Sequence, residues 1–357
     1  MGLTTVYITK ATAPFLGECE TADPRHTPKP VPKNKQTSAS HPSNTESQNL
    51  TCKSEFHLIG LLEYPDLQPV LFGLFLSMYL VTVLRNLLII LAFSSDPHLH
   101  TPMYFFLSNL SLADICFIST MVPKMILDIQ THSRVISYVG CLTQISCLII
   151  FGCMDDLLLT VMAYDRFVAI CHPLHYPVIM NPHLCGFLVF VCFLLSLLDS
   201  QLHNFIVLQF AYFKDVEIYN FCCEPAQILN LDCSEPFIKN LVTCFAGAIF
   251  GFFPISVILF SYYKIVSSIL RIPSSGGKYK SFSTCGSHLS VVGLFYGTSV
   301  GVDLGSAVSH SPRKGVASSV MYTIVTPMLN PFLYSLRNRD IKNALRRFHS
   351  GKVYIRT

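Results

Sequence analysis

Tryptophan is missing from this 357-residue chain, and charge is scarce: Asp, Glu, Lys and Arg make up only 13% of it. Soluble domains carry about 25% charged residues. Set against 51% hydrophobic residues, that shortage excludes an ordinary water-facing surface and points to lipid. Without tryptophan, any aromatic belt at the membrane interface must come from the 16 tyrosines and 27 phenylalanines. The net charge of +4 is too small to argue for nucleic acid. No apolar run follows Met1 closely enough to act as a cleavable signal peptide, so none is expected.

Apolar periodicity is also absent from residues 1–66, which are rich in Pro, Ser, Thr and Lys. Such a segment buries too little apolar surface to offset its ordering entropy, so a disordered tail is expected there. Long apolar runs are plentiful from residue 69 onward. About 20 apolar residues cross a bilayer as a helix, and seven runs qualify: roughly 69–93, 103–127, 138–163, 184–202, 237–263, 286–303 and 317–336. Backbone amides in lipid need internal partners, which leaves helices as the form for these runs. The expected fold is an all-α membrane protein. A seven-transmembrane helix bundle occupies 67–338, and the tail 339–357 includes a short amphipathic helix.

Orientation follows from the loop charges. Lys264, Arg271, Lys278 and Lys280 follow span five, and Arg337, Arg339, Lys342, Arg346, Arg347 and Lys352 follow span seven, with Asp340 the single acid among them. The loop 203–236 lies on the other side by parity and carries Lys214 against Asp215, Glu217, Glu224, Asp232 and Glu235. The C-terminus is therefore expected in the cytoplasm and the N-terminus outside, where Asn49 of Asn49-Leu50-Thr51 would be a glycosylation acceptor.

Two placements of charge stand out. Span three is expected to end near Tyr164, leaving Asp165 and Arg166 at the cytoplasmic mouth. They could be helix-end anchors at the headgroups, or a switch in which the acid restrains the cation until an intracellular partner needs it. At 1.5 Å per residue, Asp155 lies about 16 Å outward of Arg166, and Asp114 lies about 16 Å from the inner start of span two. Two carboxylates thus share one level, with Asn86 and Asn330 nearer the cytoplasm. They could hold a hard cation such as sodium, share a proton, or be buried protonated among hydroxyls.

The blocks PMYFFLSNLSLADICF (102–117), MAYDRFVAICHPLHYPVIM (162–180), SYYKI (261–265), KSFSTCGSHL (280–289), FYGT (295–298) and PMLNPFLYSLRN (327–338), in this order on seven spans, resemble the olfactory receptors. These are a branch of the rhodopsin-like G-protein-coupled receptors. The resemblance covers about residues 50–347. It implies a plasma-membrane receptor for small volatile organic ligands that couples to a stimulatory heterotrimeric G protein and raises cyclic AMP. It makes Asp165, Arg166, Asn330, Pro331 and Tyr334 parts of the G-protein switch. Asp114 and Asp155 become an inner ion pocket, with sodium its candidate occupant and no other cofactor. It implies a Cys141–Cys223 disulfide in NFCCE (220–224). The ligand should lie between the outer halves of the spans. By spacing, Ile149, Gly152 and Cys153 on span three, Phe245 and Ala248 on span five, and Tyr296 and Thr298 on span six face inward. The family's contacts include the Tyr296 position.

The chain departs from the family pattern in three places. Arg85-Asn86 stands where the family has Gly-Asn, Phe193 replaces a tryptophan, and Tyr212 replaces a loop cysteine, which leaves Cys233 without the family's partner. A receptor shape with impaired signalling is the alternative these raise; an ion-coupled transporter is a second, against which the absence of an inverted repeat argues. Cys171-His172-Pro173-Leu174-His175 lacks further zinc ligands at finger spacing, and Gly276-Gly277-Lys278 lacks the full phosphate-loop pattern. No enzyme is expected.

Overall fold

The computed structural model describes residues 55–58, 68–133, 135–209, 216–218, 220–223, 245, 248–271, 274, 276, 285–286, 288–297, 320–330 and 341. Among them, five helices are long and apolar enough to cross a membrane: α1 (Gln68–Ser95), α2 (Pro102–Thr131), α3 (Tyr138–Cys171), α4 (Pro182–Gln209) and α5 (Ala248–Leu270). A shorter apolar helix, α6 (His288–Gly297), lies in the expected span six. Residues 320–330, helix α7, lie in the expected span seven.

Local chemistry sets several ends. Asp96 accepts from the His98 amide at 3.0 Å and caps the single turn Pro97–Leu99. Proline at the first position starts α2, where its missing N–H costs nothing, and His132 in the left-handed region (φ 52°) ends it. Ser137 caps α3 by accepting from the Gly140 amide at 3.2 Å.

Helix α3 is the axis of the bundle and packs against α2, α4 and α5. Its Ile145, Ile149, Leu158, Leu159 and Met162 are fully buried, against Phe106, Phe117, Ile118 and Met121 of α2 in the same core. The outer faces of α1 and α4 expose Leu74, Leu84, Phe187 and Phe190, as suits lipid contact.

Three expectations need correction. Span three does not end near Tyr164. The segment Phe167–Cys171 is apolar and keeps helical phase, with Val168 buried, so α3 continues to Cys171 and stops only before Pro173. The expected tail 1–66 contains an ordered strand. Strand β1 (Glu55–Leu58) lies between β2 (Val135–Ser137) and β3 (Val216–Ile218), antiparallel to the first and parallel to the second, with Phe56 opposite both Ile136 and Val216. Phe56 and Leu58 are two apart, share one face and are buried, and that burial offsets the ordering cost. Lastly, α5 opens with a π turn, Ala248–Phe252, which shifts its facing.

Candidate functional site

The functional groups lie mostly along α3, from its disulfide-tethered start to its C-terminal end. At the start, Cys141 is bonded to Cys223 with Cα atoms 5.5 Å apart. The Cys223 amide also donates to Gln144 Oε1 at 2.9 Å, one turn further along α3. The segment 220–223 is thereby held over the helix end by two bonds of different kind.

One to three turns deeper lie the expected ligand residues. Ile149, Gly152 and Cys153 are all buried. Cys153 Sγ donates to Asp199 Oδ2 of α4 at 3.5 Å, and His203, one turn on, lies 3.4 Å from Asp199 Oδ1. The same α3–α4 seam holds Asn204 Nδ2 donating to Ser146 Oγ at 2.8 Å. Tyr296 of α6 donates its hydroxyl to Asp156 Oδ1 at 2.5 Å, tying α6 to α3. Phe245 and Ala248, expected to face inward, are exposed instead; Phe245 is 62% exposed. The π turn is the reason, since one extra residue in a turn rotates the face, and Phe250 and Gly251 take the buried side. Thr298 lies outside the described residues.

At the next level Asp114 accepts from Asn330 Nδ2 of α7 at 3.3 Å, and Asp155 stands within electrostatic reach of Asp114. All three are buried. Asp155 Oδ1 and Asn330 Oδ1 have no hydrogen-bond partner. Asn86 turns back on its own helix, donating to the Thr82 carbonyl at 3.2 Å. Arg85 is half-buried on α1, and the side-chain partner of Asp114 is Asn330 rather than Arg85. Carboxylate and amide oxygens left over at one level are the donor type a hard monovalent cation takes, so the residues present fit sodium.

Near the C-terminal end of α3, Asp165 is fully buried. Arg166 donates to Asp165 Oδ2 through Nε at 2.9 Å and also through Nη2. The Tyr176 hydroxyl donates to Asp165 Oδ1 at 2.8 Å. Tyr176 belongs to the one-turn helix Tyr176–Ile179 in the loop after α3. Burial and the adjacent Asp165 carboxylate push its phenol up from the ordinary value, so it remains a donor. The Arg166 side chain is only 12% exposed, which corrects the expectation that the pair sits at the mouth of the helix. The physical reason is the seven further residues of α3, Asp165–Cys171, which carry the pair inside the bundle instead of ending it at the headgroups. Across from it, Tyr262 of α5 and His288 of α6 are hydrogen-bonded with their rings stacked. Pro331, Tyr334 and the glycosylation candidate Asn49 lie outside the described residues.

Sequence reasoning missed Asp156, the Asp199–His203 pair, Tyr176 and the Tyr262–His288 contact. A signal existed for some of them. Asp199 and His203 stand at i, i+4 toward the end of span four, and Asp156 is the second of two adjacent acids in span three.

The chain matches the family described as "Olfactory receptor" over residues 75–352. It is 72% identical to human olfactory receptor 7E24 over 312 residues, which is 87% of this chain and 92% of that protein. Mouse olfactory receptor 7E178 is 70% identical over 304 residues, covering 85% and 92%. Human olfactory receptor 7A10 is 60% identical over 307 residues, covering 86% and 99%. The apolar helices, their order and these matches agree on a multi-pass receptor with a seven-transmembrane bundle: the chain belongs to the olfactory receptor family.

Proposed function

We propose that this odorant receptor binds small, mostly apolar volatile compounds between the outer halves of α3, α5 and α6. Binding there activates a stimulatory heterotrimeric G protein and raises cyclic AMP. Ile149, Gly152, Cys153 and Tyr296 line the ligand site in this reading, with Thr298 beside them. The observation that carries it is the continuity of α3. Helix α3 holds Asp156, bonded to Tyr296 of α6, and about two and a half turns further Asp165 and Arg166, which Tyr176 of the following loop completes as a cluster. A ligand that shifts Tyr296 changes how α6 packs on α3. That biases a two-state element at the cytoplasmic end, where the G protein would meet a released Arg166.

The same reading puts the N-terminal side outside the plasma membrane, with Asn49 glycosylated and the basic C-terminal tail in the cytoplasm. It assigns Asp114, Asp155 and Asn330 to a sodium ion that stabilises the resting arrangement, and Pro331 and Tyr334 to the moving part of span seven. The test is an odorant panel with a cyclic AMP readout and surface labelling, on wild type and Arg166→Ala. Loss of the agonist response beyond any fall in surface level is expected. A full response per surface receptor in the variant would sink the switch.

A further inference from the structure

We propose that Asp156 is a recognition carboxylate for a protonated amine, placed at the floor of the ligand site and specific to that ligand class. The inference rests on the odorant-site reading above and deepens it.

Adjacent acids on a helix point about 100° apart, and the two on α3 have different surroundings. Asp155 faces Asp114 at the level of Asn330, on the side of α2 and α7. Asp156 faces α6, where Tyr296 donates to its Oδ1 at 2.5 Å. The remaining oxygen, Oδ2, is buried and has no hydrogen-bond partner, and the residue as a whole is 1% exposed. Among the described residues no lysine, arginine or histidine pairs with Asp156; the ion pairs are Lys124–Asp128, Arg166–Asp165 and His203–Asp199.

A carboxylate enclosed by apolar groups is costly unless a donor and a counter-charge are supplied. Tyr296 supplies a donor to one oxygen but no charge. A protonated amine supplies both to the other oxygen, in a charge-assisted bond roughly twice as strong as a neutral one. Helical spacing puts Gly152 one turn outward on the same face of α3, with Ile149 on the turn beyond it. Gly152 has no side chain to screen the carboxylate from the outer half, and Ile149 offers an apolar wall to the rest of the ligand. The matching ligand is a small amine with one charged N–H and an otherwise hydrocarbon body. Because Tyr296 and the amine would share one carboxylate, such a ligand acts directly on the α3–α6 contact.

The experiment uses the full-length receptor purified in detergent and measures thermal shifts at neutral pH. The probes are N,N-dimethylcyclohexylamine, its neutral isostere isopropylcyclohexane, and the quaternary N,N,N-trimethylcyclohexylammonium, which keeps charge but has no N–H. The tertiary amine is expected to stabilise wild type most and the hydrocarbon least. Its apparent affinity should fall about tenfold or more in Asp156→Asn, the scale of a lost charged hydrogen bond, and fall clearly less in Asp155→Asn. Equal shifts from amine and hydrocarbon in wild type, or an undiminished amine affinity in Asp156→Asn, overturn the inference. An equal loss in Asp155→Asn also overturns it, since the cation pocket would then hold the amine. Should Asp156→Asn fail to accumulate, the ranking of the three probes on wild type decides alone. Cyclic AMP in cells separates the two readings. Amine binding that depends on Asp156 without a cyclic AMP rise faults the signalling proposal only. Responses to neutral odorants with no amine shift fault this inference only.

Discussion

Helices α1 and α3 are nearly equally apolar, yet 72% of the apolar stretch of α3 is buried inside the protein and only 22% of that of α1. Their polar residues account for the difference. Helix α3 carries Gln144, Asp155, Asp156, Thr160 and Asp165, all buried. Partners on α6, on the loop after α3 and on the disulfide segment meet Asp156, Asp165 and Gln144 in turn. Helix α1 turns Leu74, Leu80, Leu84 and Leu87 outward and keeps Thr82 and Asn86 within. In lipid, greasiness does not drive helices together, because lipid tails are as apolar as leucine. Polar and small groups that cannot face lipid decide which helix takes the centre.

The sharpest way to break this comparison is to make the same change in both helices. Leu158→Ala, at a fully buried site of α3, should cost about 2–5 kcal/mol and strongly lower both the thermal midpoint and the surface level. If it were tolerated, α3 would not be the packing axis. On α1, Arg85→Gly should raise surface expression several-fold. A mid-span arginine costs about 2.5–3.5 kcal/mol on insertion scales, of which snorkelling recovers only part. Quantitative surface labelling checks it, and a fall would mean that Arg85 supports the fold.

A smaller effect is expected from Tyr176→Phe, which removes one donor from Asp165. The loss is about 1 kcal/mol, or roughly fivefold in the population of the released form. Basal cyclic AMP per surface receptor should rise; an unchanged basal level would take Tyr176 out of the latch. Least of all should come from Leu84→Ala, 57% exposed on the outer face of α1. Its change in surface level should lie within the scatter of wild type, corresponding to about 0.5 kcal/mol or less. A large drop there would reveal a packing partner on the lipid face.

Much of the fold was legible residue by residue. The expected starts at 69, 103, 138 and 184 lie within two residues of the observed starts at Gln68, Pro102, Tyr138 and Pro182. Capping groups and prolines mark such starts locally. The continuation of α3 through Phe167–Cys171 was harder to read, since a charge pair in a greasy run looks like a helix end. Strand β1 was hidden because EFHL is too short to show a period of its own; its partners lie 80 and 160 positions away, at Ile136 and Val216 from Phe56. In the site, the burial of Ile149, Gly152 and Cys153 followed from α3's period, whereas Phe245 and Ala248 were misplaced by a π turn that leaves no mark in composition.

Membrane residence and the number of apolar runs were set by the sequence alone, because transfer of each segment into lipid depends on its own composition. So were the basic face that biases orientation and the presence of carboxylates at mid-depth. Which carboxylate meets which helix was decided only by the tertiary structure. Asp155 and Asp156 are neighbours of identical chemistry. The rotation of α3, established by its packing on α2, α4 and α5, turns one toward Asp114 and the other toward Tyr296. A hydrogen bond acts over about 3 Å, and no local rule of sequence brings a residue on α6 to within that distance of one 140 positions earlier.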